Sequence, residues 1–529
     1  MFSYSAKKSA LFQELEDEER VKLFSYKGKK FLHNIDSFYY VVKVKNDWNF
    51  DSGCQEFLSY LEMYRKSAIK QFDPFVCFQV HDKVSHLGTG FVMNGIGSAP
   101  YLYDIQKPDK YIMFFANNIL NPNMPEVWVQ LRSQNLWLNG VYSAFEESLT
   151  DLQRIFDTFG IQIEKVSENR IDYAYHTNYI QDMTNYFKPE NFNRMQQSRF
   201  ARWSLEGAFK GQFDTDADYF TLGRKKSNNL FFRVYNKTKE VIEQGYKQFF
   251  IKLWYLENMI SFFDLYCIEK AFLSTSYKAL QLARLEFYLE YGSDPVLKDK
   301  CKTLLQADSL DYDQIESFAD FLVPKVTLIL NVEFETKRKF YYSFDESIGI
   351  LLKVHSKNVP EFAKKIYLIL DNLQVFHDYI SCNNDRNDGV IRFIDFKAKN
   401  RFGRPWTEKS KFPTADWWKR LQSVRVNRKF KADHVDLIRK YQKSLSVDIL
   451  RKRIINMMGT HSLYVRGEND SDTFSDCADF LSLLNENDIE RAIDYKQKKM
   501  TLLADRLGDV QGSFQRTVNI VDQETGQIF

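Results

Sequence analysis

The chain has 529 residues, 44% of them hydrophobic and 27% charged, with a formal net charge of +3; this is the composition of a globular protein long enough for several domains. So small a net charge gives no argument for a nucleic-acid partner, which must be read from local clusters, while 46 Phe, 30 Tyr and 8 Trp supply core and possible base-stacking surface alike. Six scattered cysteines without a CxxC pair argue against a zinc ribbon or disulfide framework, and the most apolar helical stretch, 246–273, carries Lys247, Lys252, Glu257, Asp264, Glu269 and Lys270, too many charges for a bilayer span.

Residues 1–30 are polar and read as a helical or poorly ordered arm, acidic where a signal peptide needs an apolar run. A cytoplasmic protein with no membrane partner is expected. From there strands alternate with amphipathic helices: a strand over 35–44, a helix over 54–67, a hairpin over 77–95, a strand over 127–133 and a helix over 144–160 stopped by Gly160. The outline then recurs, with strands at 161–177 and 202–209, a hairpin over 219–240 and a long helical stretch to about 280. A strand at 283–291, a helix at 311–322 and a strand at 325–336 follow. Hairpins with helices between them predict an α+β fold, mainly an antiparallel sheet of two similar strand-helix halves, followed by a basic helical C-terminal region. The expected division is an arm to 30, a catalytic and DNA-binding domain over 31–424, a basic helical region over 425–465 and a polar tail over 466–529. Between 396 and 453, 18 Lys or Arg stand against five acids. The residues singled out there for phosphate are Arg425, Arg428, Lys429 and Lys431; a solvated amphipathic helix is the competing reading.

The chemistry is sought in three segments. In LFFRVYNKTKE, alternation along a strand puts Arg233, Tyr235 and Lys237 on one face, with Phe232 and Val234 opposite. A phenol between two cations can serve as a nucleophile, since cations favour the phenolate and hold an attacked phosphate. In ENRIDYAYHT, Arg170, Asp172 and His176 share a face; in ARLEFYLEY, Arg284 and Glu286 do so. Carboxylates and an imidazole suit Mg²⁺ or Mn²⁺. The alternative is a row of cross-strand ion pairs on a solvated sheet face. His33, His355 and His377 fit no constellation and read as structural; neither a Walker loop nor an HExxH motif occurs.

RIDYAYH, then YFTLGRKKSNNLFFRVYNKTKE, then ARLEFYLEY resembles, in order, the signatures of the Rep_trans replication initiators, which start rolling-circle plasmid replication or act as relaxases of conjugative elements. FPTADWW (412–418) is similar to the Trp-Trp element that closes that family's catalytic region. Trp417 and Trp418 could stack on bases, although such a pair more often anchors the end of a core. The resemblance implies a bacterial protein that nicks and rejoins one DNA strand at an origin, through a 5′-phosphotyrosyl bond to Tyr235. Arg233 and Lys237 would hold phosphate, and Asp172, Glu286 and Glu240 would serve the metal or position the strand, with His176 the imidazole read beside them as a metal ligand. Arg170, Arg224, Lys225 and Arg284 would contact DNA, a host helicase would unwind from the nick, and a homodimer is a possible working form. The sequence departs from the family pattern in having His176 where a second aspartate is usual and in lacking the hairpin serine after Gly223. A conjugative relaxase and a DNA-binding relative without turnover are the alternatives.

Overall fold

The computed structural model describes residues 10–26, 28–70, 76–77, 91–94, 100–121, 123–187, 194–198, 203–210, 214–223, 229–307, 309–342, 344, 352–383, 389–404, 406–426, 490 and 494. The strands in chain order are β1 (Phe31–Val44), β2 (Val76–Cys77), β3 (Val92–Asn94), β4 (Tyr103–Lys107), β5 (Tyr111–Phe115), β6 (Val127–Leu131), β7 (Ile163–Thr177), β8 (Gln196–Ser198), β9 (Trp203–Lys210), β10 (Asp214–Leu222), β11 (Leu230–Asn236), β12 (Leu330–Lys337) and β13 (Ile391–Phe393). Eleven of them form one sheet in the order β2-β3-β4-β5-β6-β1-β7-β12-β11-β10-β9, and every pairing is antiparallel. β8 and β13 make a separate ribbon.

The two halves expected from the sequence are visible in this order. β1 and β7, the longest strands, lie side by side at the centre. After each, the chain goes to an outer edge and returns strand by strand until β6 pairs with β1 and β12 pairs with β7. The fold is α+β with a large antiparallel sheet, as composition and alternation predict.

Alternation gives the sheet two unlike faces. Tyr173, Tyr175, Phe232, Val234, Val332 and Phe334 lie on one face and are all buried. There Phe232 meets Phe334 with ring centroids 5.1 Å apart, and Trp418 closes over both at 6.2 Å. Trp418 belongs to the helix Asp416–Gln422, so the Trp-Trp element anchors a core. The other face carries His176, Asn331, Glu333, Arg233 and Tyr235. Helices Lys237–Gln244, Phe249–Leu256, Phe262–Leu273 and Ala279–Tyr291 share an apolar cluster beside it, with Phe250, Trp254, Ile268, Leu285 and Phe287 buried. Within the arm, the helices Ala10–Glu14 and Asp17–Phe24 add Leu11, Leu23 and Phe24 to that cluster.

One element is the reverse of its expectation. Residues 283–291 belong to the helix Ala279–Tyr291, not to a strand. Leu285, Phe287 and Leu289 do alternate, but Leu280, Ala283, Phe287 and Tyr288 keep helical spacing, and Ala, Leu, Gln, Arg and Glu favour the helix. Likewise β11 ends at Asn236, and Lys237 opens a helix whose cap is the Asn236 side chain, accepting from the Lys239 amide at 3.0 Å.

The chain divides into two compact units, Met1–Tyr342 with Glu346–Leu437, and Ser343–Asp345 with Ile438–Phe529. The basic helical region expected over 425–465, apart from Arg425 and Val426, and nearly all of 466–529 lie outside the described residues. Cys54, Cys267, Cys301 and Cys382 are buried thiols outside any disulfide, and no helix among the described residues is long and apolar enough to cross a membrane.

Candidate active site

The register of three neighbouring strands assembles the site. Tyr235 of β11 faces Asn331 of β12, which faces His176 of β7; one step along, Arg233 faces Glu333 and Glu333 faces Ala174. Directly opposed residues of antiparallel strands project to the same side, so these groups meet on the polar face. The Tyr235 hydroxyl accepts from Asn331 Nδ2 at 2.9 Å and Lys237 Nζ at 3.4 Å, and donates to Glu333 Oε2 at 3.3 Å. Asn331 Nδ2 also donates to Glu333 Oε2 at 3.0 Å, and Arg233 holds the other oxygen of Glu333 at 2.6 Å. The Arg233 guanidinium lies 5.1 Å from the Tyr235 ring centre and the Lys237 ammonium 5.6 Å.

Lys237 reaches back to Tyr235 although it starts a helix. Its stem is fully buried beside Phe250, and its ammonium pairs with Glu240 one helical turn on, at 2.6 Å. Lys247 meets the other Glu240 oxygen at 3.4 Å. At a bulge in β1, Asp36 accepts from Ser133 Oγ at 2.5 Å and Trp137 Nε1 at 2.7 Å. Burial works against its charge, but the fields of Lys237 and Lys247 and the Ser133 bond hold its carboxyl well below the usual range.

The phenol is not activated by its cations alone. Burial and the Glu333 carboxylate push the Tyr235 hydroxyl well above its ordinary value, and Arg233 offsets only part of this. In this arrangement the hydroxyl keeps its proton, and the Glu333 carboxylate is the acceptor it faces.

Of the four expected metal ligands, Glu286 is overturned. It lies 40% exposed on the helix Ala279–Tyr291 and pairs with Lys270 at 3.2 Å, because the segment is helical. His176 is fully buried, stacked on Trp137 at 4.5 Å and edged by Phe250 at 4.7 Å. Trp254 Nε1 donates to its Nδ1 at 3.1 Å, which leaves the hydrogen on Nε2 and no lone pair there for a cation. Burial and Lys237 keep this imidazole neutral, well below its usual pKa. Glu240 is taken by two lysines. Asp172 sits with Arg170 and Glu335, four residues along β7 from the Tyr235 row, about 13 Å away at strand rise. Arg170 Nε donates to Asp172 Oδ1 at 2.8 Å; burial and the carboxylates of Glu333 and Glu335 nonetheless raise Asp172 to about 7. Among the described residues no group of three or more His, Cys, Asp or Glu is arranged to hold a metal ion. The expected Mg²⁺ or Mn²⁺ set does not fit this arrangement.

The expected DNA contacts divide as well. Arg284 is 2% exposed and spans Asp320 at 2.7 Å, Gln281 at 2.6 Å and the carbonyls of Val323 and Pro324, so it holds helices together. Arg170 is engaged by Asp172 and Glu335. Arg425 is exposed. Arg224, Lys225, Arg428, Lys429 and Lys431 lie outside the described residues. The sequence reading missed Asn331, Glu333 and Glu335. Their signal was the alternation in NVEFET, whose polar side was left unread while its apolar side defined the strand. His33 and His377 prove structural, bonded through Nδ1 to the Ala174 carbonyl at 2.8 Å and the Tyr175 hydroxyl at 2.6 Å.

No family model and no curated protein matches the chain. Among solved structures it is similar to a rolling circle replication initiator protein from Geobacillus stearothermophilus, with 12% identity and a TM-score of 0.30 over 75% of this chain and 98% of that one. A likeness that slight carries no argument about function, which rests on the site.

Proposed function

We propose that the protein cleaves and rejoins one strand of DNA by transesterification at Tyr235, as an initiator of rolling-circle replication. The observation that carries this reading is the contact set of one hydroxyl: a phenol bonded to a carboxylate, an ammonium and an amide at a sheet face, with a guanidinium over its ring. Those are the parts a phenolic nucleophile needs. Glu333 takes the proton as the oxygen attacks phosphorus. Arg233 and Lys237 offset the charge that builds on the phosphoryl oxygens. The new bond joins Tyr235 to the 5′-phosphate, the bond to the 3′-oxygen breaks, and that oxygen takes a proton from water. Reversal rejoins the strand, because a phosphodiester has been exchanged for another ester. The resemblance of the RVYNK hairpin to the Rep_trans initiators supports the same reading.

Supercoiled DNA carrying the protein's own locus tests it, in buffers with Mg²⁺, Mn²⁺ or a chelator. Relaxation with a denaturation-resistant protein–DNA adduct is expected, and Tyr235→Phe removes the adduct. Relaxation by Tyr235→Phe with the adduct intact would overturn the assignment.

A further inference from the structure

A second concave site lies beside the strand ends that carry Tyr235. The row Phe31–Thr177–Leu330–Asn236 crosses β1, β7, β12 and β11 one residue beyond the row containing Tyr235. At the β1 end of that row, a cavity of about 380 Å³ is lined by Lys29, Lys30, Phe31, His33, Tyr179, Arg420, Ser423, Val424 and Arg425. Three strand spacings separate β1 from β11, about 14 Å.

Among the described residues the lining carries four cations and no carboxylate. Lys30 pairs with Glu257 at 3.0 Å outside the cavity wall, and Lys29 donates to the Tyr179 carbonyl at 3.2 Å. Arg420 and Arg425 are exposed, and among the described residues neither has an acidic partner. Cations gathered in a cleft with low-dielectric walls focus a positive potential and concentrate anions. Phe31 and Tyr179 stack at 5.3 Å with planes 22° apart and stay partly exposed, giving the rim an aromatic surface. Cations beside stacked rings suit a nucleic-acid strand, whose phosphates take the charge and whose bases take the rings.

We infer that this pocket holds the phosphodiester backbone of the single-stranded flank of the strand attacked at Tyr235. The inference rests on the transesterification reading for the identity of that strand, and on the pocket alone for phosphate binding. The occupant is single-stranded because the pocket lies on the His33 and Tyr175 side of the sheet and Tyr235 on the other. A chain passing from one to the other turns around the strand ends, which a stiff duplex resists at that scale.

The test uses the full chain and a short fluorescein-labelled oligothymidylate, with affinity followed by anisotropy over a salt series. Arg420→Gln/Arg425→Gln removes two exposed cations. It is expected to weaken binding about tenfold and to lower the slope of log affinity against log salt by about 1.4, from roughly 0.7 per phosphate contact on single strands. Lys302→Gln/Lys339→Gln, exposed elsewhere on the chain, serves as control, and thermal melting confirms that both proteins fold. A pocket variant with wild-type affinity and slope overturns the proposal, as does an equal loss in the control. Equal weakening on a duplex of the same length overturns its single-strand part. The loss is expected to persist in a Tyr235→Phe background. A wild-type chain that forms no covalent adduct while Arg420→Gln/Arg425→Gln still loses the oligonucleotide would refute the cleavage reading and leave the pocket standing; the opposite pair of results would do the reverse.

Discussion

At the scale of single residues, two glutamates separate the observed site from the expected one. Glu333 touches the Tyr235 hydroxyl, whereas Glu286 is held by Lys270 on an outer helix. Glu333→Gln keeps the shape and removes the base, so adduct formation should fall by about 10²–10⁴-fold, the usual contribution of a positioned base. Glu286→Gln should stay within about twofold of wild type in the same gel assay; a large loss there would restore the rejected ligand. Asp172 makes a prediction of a different kind. Its folded pKa, near 7, lies above the roughly 3.9 of an unfolded aspartate, so between those values the folded chain binds more protons than the unfolded one. The stability this group contributes is full below pH 4 and is lost as pH rises through 7. Urea midpoints measured from pH 4 to 8 should therefore decline across that window, and Asp172→Asn should flatten the decline. A midpoint that rises with pH in wild type and not in the variant would show the opposite shift.

At the scale of elements, what was legible followed from how many ways a pattern could be satisfied. β1 and β7, dense in aromatic and β-branched residues, and the helix Val141–Thr158, with its one apolar face, were readable from sequence. ARLEFYLEY satisfies both periods, and the helix wins because the spacing extends back to Leu280, four residues before Arg284. That error carried Arg284 and Glu286 into the site. Lys237 was placed beside Tyr235 correctly but for an incomplete reason: strand alternation ends at Asn236, and it is the helix start, with Glu240 one turn on, that aims the ammonium back. Glu333 was missed because β12 was recognised by Val332 and Phe334. Deciding which strand neighbours β11 requires pairing across about a hundred residues, which local pattern does not encode. The reassignment of Arg284 can be measured. Its guanidinium is the buried donor for two carbonyls, while Asp320 keeps Lys325 at 3.1 Å, so Arg284→Leu leaves the two carbonyls bare and should cost about 1–3 kcal/mol of unfolding free energy for each. A DNA-contacting arginine would instead lose affinity at unchanged stability.

At the scale of the whole molecule, the sheet separates two tasks by face, and the site depends on both. Tyr235 and Glu333 are positioned from strands whose reverse sides carry Phe232, Val234, Val332 and Phe334 into the aromatic core under Trp418. Trp418 is fully buried, and its Nε1 donates to the Ser381 carbonyl at 3.0 Å, tying the helix Asp416–Gln422 to the helix Leu373–Ser381. Trp418→Ala should open a cavity against the rings of Phe232, Phe334, Phe393 and Trp417 and cost about 3–5 kcal/mol, read as a lower denaturation midpoint. Ser381 would keep a partner, since Gln422 Nε2 also donates to its carbonyl at 2.8 Å, so the loss should come mainly from packing. A stacking surface for bases predicts the contrary pattern, weaker oligonucleotide binding with an unchanged midpoint. Measured at a temperature where the variant is still folded, oligothymidylate affinity should match wild type while adduct formation falls, because β11 and β12 lose the support that sets their hydroxyl and carboxylate 3.3 Å apart. Adduct formation at the wild-type rate in a destabilised Trp418→Ala chain would show that the polar face keeps its register without the aromatic one.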